Sequence, residues 1–192
     1  MSEEKKIRAL LYVTPKFKWK YLVNWLITIW TWCRYSHCEL WVGDESKPHY
    51  KFGGHCNLTQ SYGNMRINYP FTGTCYSSTL RGKSNGTVKR PASKVLDHPE
   101  NWVYIEAEME IANYDAMIRF LENEVRLNKG YSKRDLLKFL SPIHFPDNKR
   151  NICSEITNNA LCVGLLLRGF GIISPKKLYK KLIAAGCKPK EL

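Results

Sequence analysis

Two hydrophobic periodicities divide this chain, and the division limits its fold more than any single motif does. Through Met109 the apolar stretches are short and rich in β-formers: IRALLYV (Ile7 to Val13), CELWVG (Cys38 to Gly43), TCYSS (Thr74 to Ser78) and WVYIEAEM (Trp102 to Met109). Such runs, bounded by turn residues, read as strands. Beyond Met109 the apolar residues recur at helical spacing. One helix is expected from a cap at Asn113 or Asp115 to about Leu127, stopped by Lys129-Gly130, and a second from Ser132 to Pro142. A third is expected from Cys153 to Arg168, with Ile156, Ala160, Val163 and Leu167 on one stripe and Gly169-Phe170-Gly171 as its stop. Ser174-Pro175 opens the last, a cap followed by proline at the first helical position. Strands gathered early and helices gathered late predict an α+β fold. A single domain over residues 1–192 is expected, with a probable insertion at about 44–74, where Gly, Pro, Asn and His are frequent. No internal repeat or linker is present.

One segment breaks the pattern. Trp19 to Arg34 reads as a helix inside the strand-rich half, and its stretch YLVNWLITIWTWC is aromatic and apolar. It is short of the roughly 18 apolar residues that a membrane span needs, and Asn24, Thr28 and Thr31 interrupt it. A buried helix is the expectation, with an interfacial membrane helix as the other reading.

Lys plus Arg outnumber Asp plus Glu by 30 to 17, a net charge of +13. A surplus of that size attracts an anionic partner: nucleic acid, a membrane face or a cell-wall polymer. The four lysines Lys176, Lys177, Lys180 and Lys181 are expected to form a basic outer face on the last helix. Seven cysteines, no C-x-x-C pair and no signal peptide point to reduced thiols in a cytoplasmic protein rather than a disulfide framework. Cys38, His55 and Cys56 are near enough in sequence to form a zinc site, but their spacing fits no standard zinc pattern.

Cys153 lies in NICSEITNNAL, between a good N-cap, Asn151, and an apolar-periodic run. The N–H groups and dipole at a helix start favour an anion, so a cysteine there is readily a thiolate. A filler cysteine of the core is the alternative. A nucleophile needs a base, and His37 stands at the mouth of a strand in YSHCELWVG. Glu39, two residues on, projects from the same face of that strand. A carboxylate beside an imidazole orients it and raises its basicity. A surface histidine beside a solvated glutamate fits the same spacing.

SHCELWVG followed far downstream by NICSEITNNAL resembles the circularly permuted branch of the papain-like, NlpC-type hydrolases. That branch includes the YiiX/YaeF-like amidases and lies near the lecithin retinol acyltransferase group. CYSSTLRGKSNGTVKR resembles the family's next strand and turn. NKGYSKRDLLKF resembles its helix entry, with Ser132 where Asp is usual, and IISPKKLYKKL its proline-led helix. These matches run in order from about Ile7 to Leu182. The resemblance implies a permuted papain-like fold, an antiparallel sheet packed against helices, with the nucleophile at a helix N-terminus. It implies Cys153 as nucleophile, His37 as general base and the Cys153 backbone N–H as the main oxyanion donor, with no cofactor and no metal. The third polar residue departs from the pattern. The following strand offers only Ser77 or Ser78, neither a carboxylate, and His49 resembles the second histidine of the acyltransferase group; Glu39, standing where relatives carry a small residue, is the expected third catalytic residue, taking over the orienting role.

The expected function is a thiol hydrolase that cleaves an amide or ester of a peptide, protein or acyl substrate through a Cys acyl-enzyme. The alternatives are a non-catalytic basic module on the same fold, binding nucleic acid or an anionic membrane, and an acyltransferase.

Overall fold

The computed structural model describes residues 4–14, 22–43, 71–79, 85–132 and 152–191. The expectations for Ser132 to Pro142, for His49, His55 and Cys56, and for Asn151 fall wholly or mainly outside them. The fold is α+β. Six strands form one antiparallel sheet: β1 (Glu4–Val13), β2 (Tyr35–Val42), β3 (Thr74–Thr79), β4 (Gly86–Pro91), β5 (Trp102–Glu110) and β6 (Lys188–Glu191), in the order β4-β3-β2-β1-β5-β6. β1 is central, paired with β5 along Glu4 to Tyr12 and with β2 along Ile7 to Val13. That position explains its sequence: Leu10 and Leu11 are both buried because both faces are covered. β6 has no counterpart in the sequence reading. Its KPKE is polar, and only pairing with β5 makes it a strand.

Among the described residues the α-helices are α1 (Leu22–Thr31), α2 (Ala92–Val95), α3 (Ile111–Leu127), α4 (Cys153–Gly164) and α5 (Pro175–Ala184), and a short 3-10 turn spans Pro99–Asn101. One face of the sheet packs Ile7, Leu11, Leu40 and Ile105 against Met117 and Leu121 of α3, Ile156 and Ala160 of α4, and Leu178 and Leu182 of α5. Each of the larger of these side chains, the leucines, isoleucines and Met117, contributes about 1.5–3 kcal/mol on burial. The opposite face is smaller, with Leu10, Tyr12, Trp41 and Trp102 covered by Ala92, Val95 and Leu96. Gly164 lets α4 approach β5 closely, since a Cβ there would sit 2.8 Å from the sulfur of Met109.

Several boundaries differ from the sequence reading. α3 starts at Ile111, directly after β5, with Glu110 at its cap instead of Asn113 or Asp115, and it ends on Asn128 in the left-handed region at φ 42°. α4 ends at Gly164 rather than Arg168, because Leu166 turns left-handed at φ 51°; Leu167 therefore lies off its stripe. The cap position of α4 is Ile152, whose side chain makes no capping bond. α5 starts as expected, Ser174 Oγ accepting from the Lys177 N–H. α1 is not the buried helix expected. Ile27 is buried, but Trp25, Leu26 and Ile29 face outward. Of the four lysines on α5, Lys177 and Lys180 are exposed, whereas Lys181 turns inward, its Nζ donating to Asn158 Oδ1 at 2.7 Å.

Candidate active site

The pairing between β2 and β3 is short. Leu40, Trp41 and Val42 pair with Tyr76, Cys75 and Thr74, and the ladder goes no further, although β3 continues against β4 to Thr79. Beyond the ladder, side chains take over from backbone: Ser77 Oγ donates to the Cys38 carbonyl at 3.1 Å. The Cys38 backbone N–H serves the Cys153 sulfur. The N-terminus of α4 thus meets β2 where the ladder ends.

His37 lies inside β2, opposite Tyr12 of β1, rather than at the strand's mouth, because the strand begins three residues earlier than its apolar run suggests. Period two puts His37 and Glu39 on one face of the strand, and both are buried, Glu39 completely. His37 Nε2 is 3.1 Å from Glu39 Oε1 and 3.3 Å from Ser77 Oγ. A carboxylate only accepts, so the Nε2 proton is directed to Glu39. The far side of the ring is left for Cys153, and Trp102 packs edge-on against it, with ring centroids 6.3 Å apart.

Glu39 has a second partner that the sequence reading missed. Arg90 of β4 donates from Nη2 to the same Oε1. Arg90 pairs in register with Cys75, which places it on the face that carries His37 and Glu39. Its only signal in the sequence is a cation on a strand, and its role appears only when β4, β3 and β2 are set side by side. The four groups alternate in sign from Cys153 through His37 and Glu39 to Arg90.

The electrostatics follow from that order. Burial pulls the His37 pKa down, but the Cys153 thiolate and then Glu39 outweigh it, and the pKa rises to about 9. Cys153 is held well below the usual thiol range, first by hydrogen bonding from the Cys38 thiol, then, against the opposing effect of burial, by the His37 charge and the Cys38 N–H. Cys38 moves the other way, pushed well up by burial and by its anionic neighbour. A thiolate–imidazolium pair is the favoured state of Cys153 and His37.

Ser77 shares the His37 nitrogen but brings no charge to it. Ser78 is buried, and its carbonyl accepts from Ser77 Oγ at 3.4 Å. His49 lies outside the described residues. No group of three or more metal-ligating side chains occurs among the described residues, and no described helix is long and apolar enough to cross a membrane. No protein-family model matches the chain, and no curated protein matches it.

Proposed function

We propose that this protein is a thiol hydrolase of the permuted papain-like kind, cleaving an amide or ester of a peptide, protein or acyl substrate. The observation that carries the reading is the buried alternation of Cys153, His37 and Glu39 at the start of α4: an anionic sulfur beside an imidazole whose other nitrogen a carboxylate anchors. The thiolate attacks the substrate carbonyl, and the oxyanion that forms is met by the Cys153 backbone N–H at the positive end of the helix. His37 gives its proton to the leaving amine or alkoxide as the carbonyl reforms, leaving a thioester on Cys153. His37, now neutral, removes a proton from water, which attacks the thioester. The acid departs and the thiolate–imidazolium pair returns. Transfer to an acceptor other than water shares the first half of this sequence.

Incubation with p-nitrophenyl acyl esters and with fluorogenic amides tests the proposal. Mass spectrometry should find the acyl group on the Cys153 peptide, released by hydroxylamine. Acylation that persists in Cys153→Ala, or its complete absence across ester and amide substrates of different chain length, would overturn the assignment.

A further inference from the structure

α1 carries a run of apolar side chains that are partly open to solvent. Trp25 and Leu26 are 37% and 46% exposed, Ile29 is 47% exposed, and Trp32, just past the helix end, is 87% exposed. Trp25 and Ile29 fall on one helical stripe with Leu26 beside it, and Trp32 follows just past the helix end in the left-handed region at φ 48°. The opposite side of α1 is the anchoring one, where Ile27 is buried. Leu26, Ile29 and Trp32, exposed within one short stretch together with the partly exposed Trp25, form an insertion face rather than a scatter of surface apolar residues.

A cationic rim adjoins that face. Lys176 Nζ donates to the Trp32 carbonyl at 3.1 Å, which fixes the first turn of α5 beside the end of α1. Lys177 beside it and Lys180 on the next turn of α5 are exposed to solvent. The whole chain carries a net charge of +13.

We propose that this surface docks the protein on an anionic lipid membrane, with Trp25, Leu26, Ile29 and Trp32 entering the interface and Lys176, Lys177 and Lys180 contacting headgroups. The charge selects this occupant. A second copy of the chain brings another +13 and the same lysine rim, so self-association through this face is repelled. Nucleic acid satisfies the lysines but gives Leu26 and Ile29 nothing apolar to meet. An anionic bilayer satisfies both, since indole rings favour the headgroup level and lysines favour the negative surface. The proposal is independent of the chemistry at Cys153.

The test is sedimentation of the full chain with vesicles of phosphatidylcholine alone or with about 30% phosphatidylserine, an anionic content that gives a surface potential of the cytoplasmic-leaflet kind. Phosphatidylserine vesicles should pellet the protein at low salt, and binding should weaken as salt rises. Trp32→Ser combined with Leu26→Ser should lower vesicle affinity ~10-fold or more, with the circular dichroism spectrum unchanged. Lys177→Glu combined with Lys180→Glu should remove the preference for phosphatidylserine. Brominated lipid should quench tryptophan fluorescence in wild type and much less in Trp32→Ser. Any one of three results would overturn the proposal: no pelleting with anionic vesicles at low salt, equal pelleting by wild type and the Trp32/Leu26 variant, or a dimer that the same double substitution dissolves. Preferential binding of a single-stranded RNA, lost in the Trp32/Leu26 variant, would assign the face to nucleic acid instead. Vesicle binding by Cys153→Ala should equal that of wild type, which separates this outcome from that of the hydrolase reading.

Discussion

Helix α4 holds a buried cysteine near each end, and each has a cationic neighbour. Cys153 opens the helix beside His37, and Cys162 lies in its last turn with Lys181 Nζ 3.1 Å from its sulfur. The two environments differ in what surrounds the cation. At the N-terminus the helix presents N–H groups and the positive end of its dipole, so the anion belongs on the sulfur and His37 balances it. At the C-terminus oxygens converge: Lys181 also donates to Asn158 Oδ1 and to the Gly169 carbonyl at 3.2 Å, while Asn158 Nδ2 donates to the carbonyls of Gly169 and Gly171. Lys181 there is a strut that ties the turn after α4 back onto the helix. A cation beside a thiol therefore does not make a nucleophile. The helix end at which the pair sits, and the group that holds the cation, set the two cysteines apart.

The comparison breaks first on activity. Cys153→Ala and His37→Ala should each lower turnover about 10⁴-fold or more, the scale on which nucleophile and base act as a unit, whereas Cys162→Ala should leave kcat near wild type. A Cys162 variant as inactive as the Cys153 variant would dissolve the distinction. Alkylation sharpens it next. Brief iodoacetamide treatment near neutral pH should modify Cys153 before Cys162 and Cys187, as read by peptide mass spectrometry, because the thiolate is the reacting form. Burial raises Cys187 further out of contention.

Anchoring of the imidazole comes third. Glu39→Gln keeps the shape and one acceptor but loses the charge, and should slow turnover by about 10²-fold, the low end for general-base catalysis. Ser77→Ala should matter much less. Arg90→Met leaves Glu39 with His37 as its remaining charged partner. Because the Arg90 side chain is 29% exposed, the loss in stability should be about 1–3 kcal/mol, below that for a fully buried pair, as read by urea unfolding. Glu39→Gln near wild type with Ser77→Ala inactive would move the third role to β3.

The pH dependence has a definite sign. The pKa of His37 rises from its ordinary 6.5 to about 9, so its contribution to stability is complete below pH 6.5 and is lost as pH rises through 9. Cys153 has the opposite sign, since a lowered thiol contributes above its ordinary 9.0 and the contribution is lost as pH falls through the lowered value. The ion pair exists between these limits, and kcat/KM should fall on an alkaline limb near pH 9. NMR of the His37 ring should show titration near 9 in wild type and well below that in Cys153→Ala, since the thiolate is the main group raising it. The smallest effect belongs to the other end of the helix. Lys181→Met should cost about 1 kcal/mol, the value of an ordinary hydrogen-bonded tie, and leave the pH profile of kcat/KM unchanged.

Much of this arrangement is legible in the sequence. The strand runs around Leu10, Leu40 and Ile105 follow directly from apolar content, and the spacing of His37 and Glu39 needs only the period of a strand. Arg90 was not legible, because its meeting with Glu39 depends on the register of three strands and no local pattern encodes register. The C-terminal end of α4 was misread for a related reason. Leu165, Leu166 and Leu167 continue an apolar pattern, yet the chain turns at Leu166, where Asn158 and Lys181 capture the carbonyl of Gly169. The sequence of α1 reads as buried because its apolar content is that of a core helix, yet Leu26 and Ile29 are exposed. Which side of it the sheet covers is a tertiary matter that composition does not carry.

The short β2–β3 ladder has a consequence for local stability. β1 is zipped to β5 over nearly its whole length, but only Leu40 to Val42 join β2 to β3. That seam is the natural boundary between two cooperative unfolding units, with the β3–β4 hairpin on one side and β2, β1 and β5 on the other. His37 and Glu39 belong to the larger unit, whereas Ser77 and Arg90 belong to the hairpin. Amide exchange at Tyr76 and Ser78 should accordingly outpace exchange at Ala9 and Ile105. Each opening of the seam strips Glu39 of its guanidinium and Cys38 of its hydroxyl tie, so the site falls out of order on a sub-global excursion while most of the fold remains native.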